Sequence, residues 1–216
     1  MKSGTRQSRG EATRARLLDG GRSVFARRGY RSTRVGDIVA AAGTSQGTFY
    51  LYFDSKDDLF SQLQAEVALE FDRLAADLPA LGPDPESVED LAAWIERFLA
   101  ACHRHRPILR ASTEADAAVG RDTVAAHLEP LAEALAERSG LPERRSFDPG
   151  VASLALIATL ERLDHMAGDG RLDVTDQDLA RTTADIVSDG LFGPRPDRTT
   201  TDRDNEISKR ERAEST

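Results

Sequence analysis

Apolar residues recur along this chain every three or four positions, the spacing that lines one face of an α-helix. The first stripe, Leu18, Gly21 and Phe25, predicts a helix from Ala12 to Arg28 that Gly29-Tyr30 closes. Val35, Ile38, Val39 and Ala42 form a second stripe on a short helix over 34–42, with Thr33 placed to cap it. Gly43 breaks the chain and Ser45 offers another cap. Leu59, Phe60, Leu63, Val67, Phe71 and Leu74 predict a longer helix begun by Ser55-Lys56-Asp57-Asp58, which resembles a capping box. After a loop at 79–87, the cleanest stripe follows: Val88, Leu91, Ala92, Ile95, Phe98, Leu99 and Cys102, which Pro107 is expected to end. Segments near 107–118, 121–139, 150–167 and 175–192 complete an all-α chain of about nine helices. Residues 1–9 and 194–216 lack apolar periodicity and are expected to be disordered.

One stretch, SQGTFYLYF at 45–53, is ambiguous. Period two puts Phe49, Leu51 and Phe53 on one face of a strand, whereas period 3.6 makes a short helix. No second convincing strand exists to pair with it, and a lone strand would leave its backbone groups unpaired. It is therefore read as helix, with Phe49 and Phe53 inward and Gln46, Thr48, Tyr50 and Tyr52 on faces that can be exposed. A short helix, a glycine turn and a second short helix make a helix-turn-helix, whose second helix presents its first turn to a major groove.

Composition supports that picture. Charged residues make up 31% and aromatics 6% of the 216 residues, as suits helices packed by aliphatic side chains. No apolar run approaches the ~20 residues a bilayer span requires, and the N-terminus has no hydrophobic signal segment. A cytoplasmic protein without membrane contact is expected. The single Cys102 has no partner for an internal disulfide and reads as a core thiol. The net charge of −8 hides a polarity: residues 1–53 hold ten Lys/Arg against three acids, a net of +7, so the remainder carries −15. A basic head on an acidic body is the pattern of a nucleic-acid-binding domain joined to a second domain.

Five residues of the head have a chemical reason to face DNA, with packing as the alternative for the two tyrosines among them. Gly47 removes a side chain where backbone and phosphate approach closely. Tyr50 and Tyr52 offer hydroxyls to phosphates or bases, and Lys56 supplies a cation. Gln46 can pair with N6 and N7 of adenine, which makes it the candidate for direct base reading.

The run from 17 to 60 resembles the DNA-binding domain of the TetR family of one-component bacterial regulators. The resemblance rests on Phe25, Gly29-Tyr30, Thr33, Ile38, Ala41-Ala42-Gly43, Gly47-Thr48, Tyr50, Tyr52-Phe53 and Ser55-Lys56 at fixed spacing. It implies a homodimer of nine-helix protomers whose C-terminal domain binds a small molecule and so releases operator DNA. By position it implies operator contacts from Thr33, Arg34, Ser45, Gln46, Gly47, Thr48, Tyr50, Tyr52 and Lys56. The organisation expected is an arm at 1–9, a helix-turn-helix domain at 10–56, a ligand-binding and dimerisation domain at 57–193, and a tail at 194–216. Three departures stand out: Gly36 has no side chain to reach DNA, Thr44 replaces a small apolar residue, and Gly20-Gly21 stand where alanines are usual. Each glycine should cost ~1 kcal/mol relative to Ala, so Gly20→Ala is expected to raise thermal stability.

The resemblance also places dimerisation on the last two helices, near 150–167 and 175–192. The first of these is apolar on too many faces for a surface helix, and the second carries Leu179, Ile186, Val187 and Leu191. Trp94, Phe98, Cys102, Leu109 and Leu128 either line a ligand cavity or simply fill the core. His103 and His105, two apart, diverge by about 200° on a helix, which is poor for joint metal ligation. Arg104, Arg106 and Arg110 are candidates to face an acidic effector.

An enzyme in a helical bundle is the competing class. A di-iron site needs Glu-x-x-His, and no Glu here has His three residues later. Neither a Gly-rich phosphate loop nor a Gly-x-Ser-x-Gly elbow is present. No catalytic residue, metal or cofactor is therefore assigned. A DNA-binding architectural protein without an effector is the remaining alternative.

Overall fold

Helix α1 runs from Ser3 to Ser32 and breaks at Gly29, whose φ of 73° lies in the left-handed region that favours glycine. The computed structural model describes residues 3–116, 123–138, 149–168, 170–171 and 173–192. Within them the chain is all α, with α2 Val35–Ala41, α3 Gln46–Phe49, α4 Lys56–Ala76, α5 Pro85–Asp116, α6 Thr123–Arg138, α7 Pro149–Gly168 and α8 Asp176–Phe192. The SGLPERRSFDPG segment apart from its last two residues, the tail at 194–216, and the His127 and Leu191 side chains lie outside what is described.

The start of α1 corrects the expectation of a disordered arm, because residues 3–9 are already helical. Periodicity marks where a helix packs, whereas propagation from a formed nucleus needs only residues such as Arg and Gln that tolerate helix. The cap of α2 also differs from expectation. Arg34, not Thr33, is the N-cap, and the Asp37 carboxylate reaches back to accept the Arg34 N–H at 3.0 Å. The turn after α2 is a Schellman motif: Gly43 is left-handed at φ 62°, Thr44 N–H donates to Val39 O, and Gly43 N–H donates to Ala40 O.

The capping at Ser55 is as the sequence predicts, its hydroxyl accepting from Asp58 N–H at 3.0 Å. Every apolar position named for α4 is buried. The stripe from Val88 to Cys102 is buried too, but its helix does not end at Pro107. α5 continues through the proline to Asp116, which merges two predicted helices into one. A mid-helix proline costs about 3 kcal/mol, while Ile108, Leu109 and Ala111 beyond it are all buried. Burial of an Ile or Leu side chain returns about 1.5–3 kcal/mol each, enough to carry the helix across.

α5 is the axis of the fold and packs against α1, α4, α6, α7 and α8. The head is built on α1, with α2 crossing it closely at Gly20. A methyl on Gly20 would lie 3.0 Å from Ile38 O and 3.1 Å from Ala42 Cβ. The glycine thus stands at a close approach of two helices, and the packing cost of a methyl there counts against the propensity gain expected of Gly20→Ala. One continuous apolar core joins head and body, from Leu17 and Phe49 to Phe98 and Ile157.

Candidate nucleic-acid interface and ligand cavity

α3 is a single turn held from below. Phe49 and Phe53 are fully buried with ring centroids 5.5 Å apart, and Ser45 caps the turn by accepting from Thr48 N–H at 3.1 Å. The helix is shorter than the nine residues predicted. After Phe49 the chain continues in turns, with Leu51 N–H donating to Thr48 O and Tyr52 N–H to Phe49 O. The burial of the two phenylalanines nonetheless follows the helical reading.

Anchored this way, α3 presents a polar surface. Ser45, Gln46 and Gly47 are exposed, and Tyr50 is 56% exposed, its ring meeting Phe49 edge-on at 5.4 Å. The Gln46 amide lies over Gly36, where a Cβ would be 3.6 Å away, so the missing side chain leaves room for the glutamine. Thr48 is half-buried and shares its hydroxyl with Ser45 at 3.0 Å. Tyr52 is half-buried against the core, with its hydroxyl near Gly10 of α1. Arg34 is exposed and its guanidinium makes no hydrogen bond or ion pair with another described residue.

Two expected contact residues are committed elsewhere. Thr33 is buried and donates its hydroxyl to Gly29 O at 2.6 Å, which removes it from the surface. Lys56 donates to Tyr30 O at 2.9 Å and stands 4.1 Å over the Tyr30 ring, a cation–π contact. The Tyr30 hydroxyl bonds Asp57; burial first, and then this carboxylate, pushes the phenol pKa far above its ordinary value. Leu51, 80% exposed between the two tyrosines, is a surface residue that the list of expected contacts lacks. Period two would bury it with Phe49 and Phe53, whereas helical spacing sets it about 200° from Phe49, on the outer side where it lies.

In the body, a cavity of about 430 Å³ opens between α5 and α7, lined by Cys102, Arg106, Leu109, Arg110, Thr113 and Glu114 from one and Glu161, Arg162, Asp164 and His165 from the other. Of the five apolar residues expected to line a pocket, Cys102 and Leu109 do so. Trp94, Phe98 and Leu128 are core instead. Trp94 stacks on Phe98 at 5.9 Å and donates its indole N–H to Leu74 O at 2.9 Å, and Leu128 is buried away from the cavity. Burial raises the Cys102 thiol pKa, and Asp164 and Glu161 raise it further, so the thiol stays protonated.

Arg106 and Arg110 line this cavity, whereas Arg104 turns away to Glu70. Arg106 is paired with the buried Asp164 at 3.0 Å. His103 lies between Asp164 and Asp176, against the latter at 3.4 Å, while His105 meets Glu70 at 2.6 Å. The two histidines thus diverge as their spacing predicted. No group of three metal-ligating side chains occurs among the described residues, and no described helix is long and apolar enough to cross a membrane.

On the outer surface of α7 and α8, Val151 is 68%, Leu154 45% and Ile186 64% exposed. Ile157, Leu160 and Val187 of the same helices are buried inside. Both helices therefore carry apolar residues on two sides.

Residues 17–63 match the sequence model of the bacterial regulatory proteins of the tetR family. Over 100 residues the chain is 32% identical to the HTH-type transcriptional repressor SCO4008 of Streptomyces coelicolor, covering 46% of this chain and 47% of that protein. A TetR-like transcriptional regulator from Rhodococcus sp. RHA1 is similar in fold, with a TM-score of 0.65 and 25% identity over 84% of this chain and 97% of that one. The transcriptional regulator FadR of Bacillus subtilis, solved in complex with stearoyl-CoA, aligns with a TM-score of 0.60 and 18% identity over 84% and 99% of the two chains. The chain spans less than half the length of the curated relatives it matches.

Proposed function

We propose that this chain, which belongs to the TetR family of bacterial regulators, binds operator DNA as a homodimer and is released from it by a small molecule. The observation that carries the reading is α3: one turn of helix, fixed by buried Phe49 and Phe53, with Gln46, Gly47 and Tyr50 exposed on its outer side. In the major groove Gln46 reads a base edge, while Ser45, Thr48, Tyr50 and Tyr52 position the turn on phosphates. Arg34 adds an uncommitted cation, and Leu51 offers apolar contact to sugar or a thymine methyl. Lys56 acts first as a brace for Tyr30; its remaining N–H donors are available to a phosphate. Thr33 serves the fold alone.

Dimerisation through α7 and α8 follows from their exposed Val151, Leu154 and Ile186, which a partner copy would cover in a four-helix interface. The effector occupies the cavity between α5 and α7, whose lining combines apolar Cys102 and Leu109 with charged groups. The neighbour FadR, with stearoyl-CoA bound, supports an effector in such a body. Relatives named as repressors favour repression over activation, and the site of action is the cytoplasm, where the DNA is.

Mechanistically, two global states are needed. A ligand that binds better when the two heads are misplaced for successive major grooves shifts the population off DNA. The test is selection of bound fragments from a random DNA pool. A palindromic consensus is expected, and recovery of no enriched sequence would overturn the reading.

A further inference from the structure

Where α1 breaks at Gly29, the following N–H is passed to another helix. Tyr30 N–H donates to Glu114 Oε2 of α5 at 2.8 Å, across 84 residues of sequence. The Glu114 carboxylate fills the space in front of Gly29 that a side chain would need. Arg31 Nε reaches back to Glu114 O at 3.2 Å. Glu114 thus holds the end of α1 through both side chain and backbone.

The same residue lines the cavity between α5 and α7, and it also lines a smaller cleft of about 240 Å³ with Phe25, Gly29, Pro107 and Arg110. From Tyr30 the contacts continue to Lys56, through the Tyr30 carbonyl and ring, and to Asp57, through its hydroxyl. Lys56 and Asp57 open α4, three residues after Phe53, the second anchor beneath the reading turn. From Glu114 to Lys56 and Asp57 each step is a hydrogen bond or a ring contact, and the last step to Phe53 is a short piece of covalent chain.

We infer that Glu114 is the positioning residue through which occupation of the cavity reaches the DNA-binding head. The inference rests on the reading of that cavity as the effector site. An occupant that displaces the Glu114 side chain withdraws the acceptor from Tyr30 N–H. The end of α1 then has no fixed station on α5, and the head loses the orientation that suits DNA.

The test therefore fills the cavity with known occupants and reads operator affinity. Arg162→Trp is built to fill it from α7 and Leu109→Trp to fill it from α5. Each is made with Glu114 intact and in Glu114→Ala, and Kd is measured on the selected operator fragment. With Glu114 present, an occupant should raise Kd roughly tenfold or more. In Glu114→Ala the same occupant should change it less than about threefold, and Glu114→Gln should restore the response because its amide oxygen still accepts the Tyr30 N–H. An equal loss with and without Glu114 would overturn the relay while leaving the cavity as effector site. No loss in any background would overturn both.

Discussion

Gly20 of α1 and Ala42 at the end of α2 lie so close that a side chain on the glycine would press on the α2 backbone. A methyl on Gly20 would stand 3.1 Å from the Ala42 nitrogen and 3.0 Å from Ile38 O. Those two atoms are joined by the hydrogen bond from the C-cap of α2, at 2.9 Å, so neither can yield without loosening the helix that precedes the reading turn. Alanine gains about 1 kcal/mol of helix propensity, but overpacking costs about 1–3 kcal/mol. Gly20→Ala should lower the melting temperature in a thermal denaturation scan. A rise would mean that α2 can shift aside freely.

Gln46 and Tyr50 separate reading from positioning. Gln46→Ala should flatten preference at particular base pairs, by about 1–3 kcal/mol per site of discrimination. Tyr50→Phe should weaken binding to all fragments alike. The two patterns are compared by titrating the selected operator and its single-base variants. If both substitutions leave every Kd unchanged, α3 does not enter the groove.

The exposed apolar residues of α7 and α8 set a test of assembly. Ile186→Glu or Leu154→Glu would bury an unpaired carboxylate in the proposed apolar interface. Each should convert a dimer into a monomer in sedimentation equilibrium, with helix content unchanged by circular dichroism. A dimer that survives both substitutions would place the interface elsewhere.

Glu70 ties α4 to α5 through Arg104 and His105. Burial alone would raise its pKa, but the hydrogen bonds from His105 and then Arg104 outweigh burial and hold the carboxyl below its usual range. A depressed folded-state pKa stabilises the protein above the unfolded value of about 4.3, and that share is lost as pH falls through the lower folded value. Glu70→Gln should therefore melt below wild type at pH 7, and the gap should close as pH drops under about 4. A gap that persists at low pH would show that the pair's charge is not what stabilises the contact.

Much of this arrangement was legible because it follows from local rules. The stripes of α4 and α5, the Ser55 cap and the inward turn of Phe49 and Phe53 are set by spacing alone. What spacing could not supply was tertiary compensation. Pro107 reads as a helix end until the burial of Ile108 and Leu109 beyond it is known. Thr33 reads as a cap until its hydroxyl is found on Gly29 O. The cavity was half legible: Cys102 lies on a visible stripe and Leu109 was a candidate beyond it, whereas Glu161, Arg162, Asp164 and His165 reach it only because α7 crosses α5. Trp94 and Phe98 looked equally suited, but their stacking on each other removes them from it.

The unbroken run of α5 has a consequence for how this protein can change. A rod of 32 residues, about 48 Å long at 1.5 Å per residue, meets the head near its C-terminal end and also packs on α8. The cavity draws on its second half, from Cys102 to Glu114. Substitutions at Cys102, Arg106 and Leu109 can exchange one recognised molecule for another while Glu114 keeps its hold on α1. New inputs are in this way open to selection without redesign of the output.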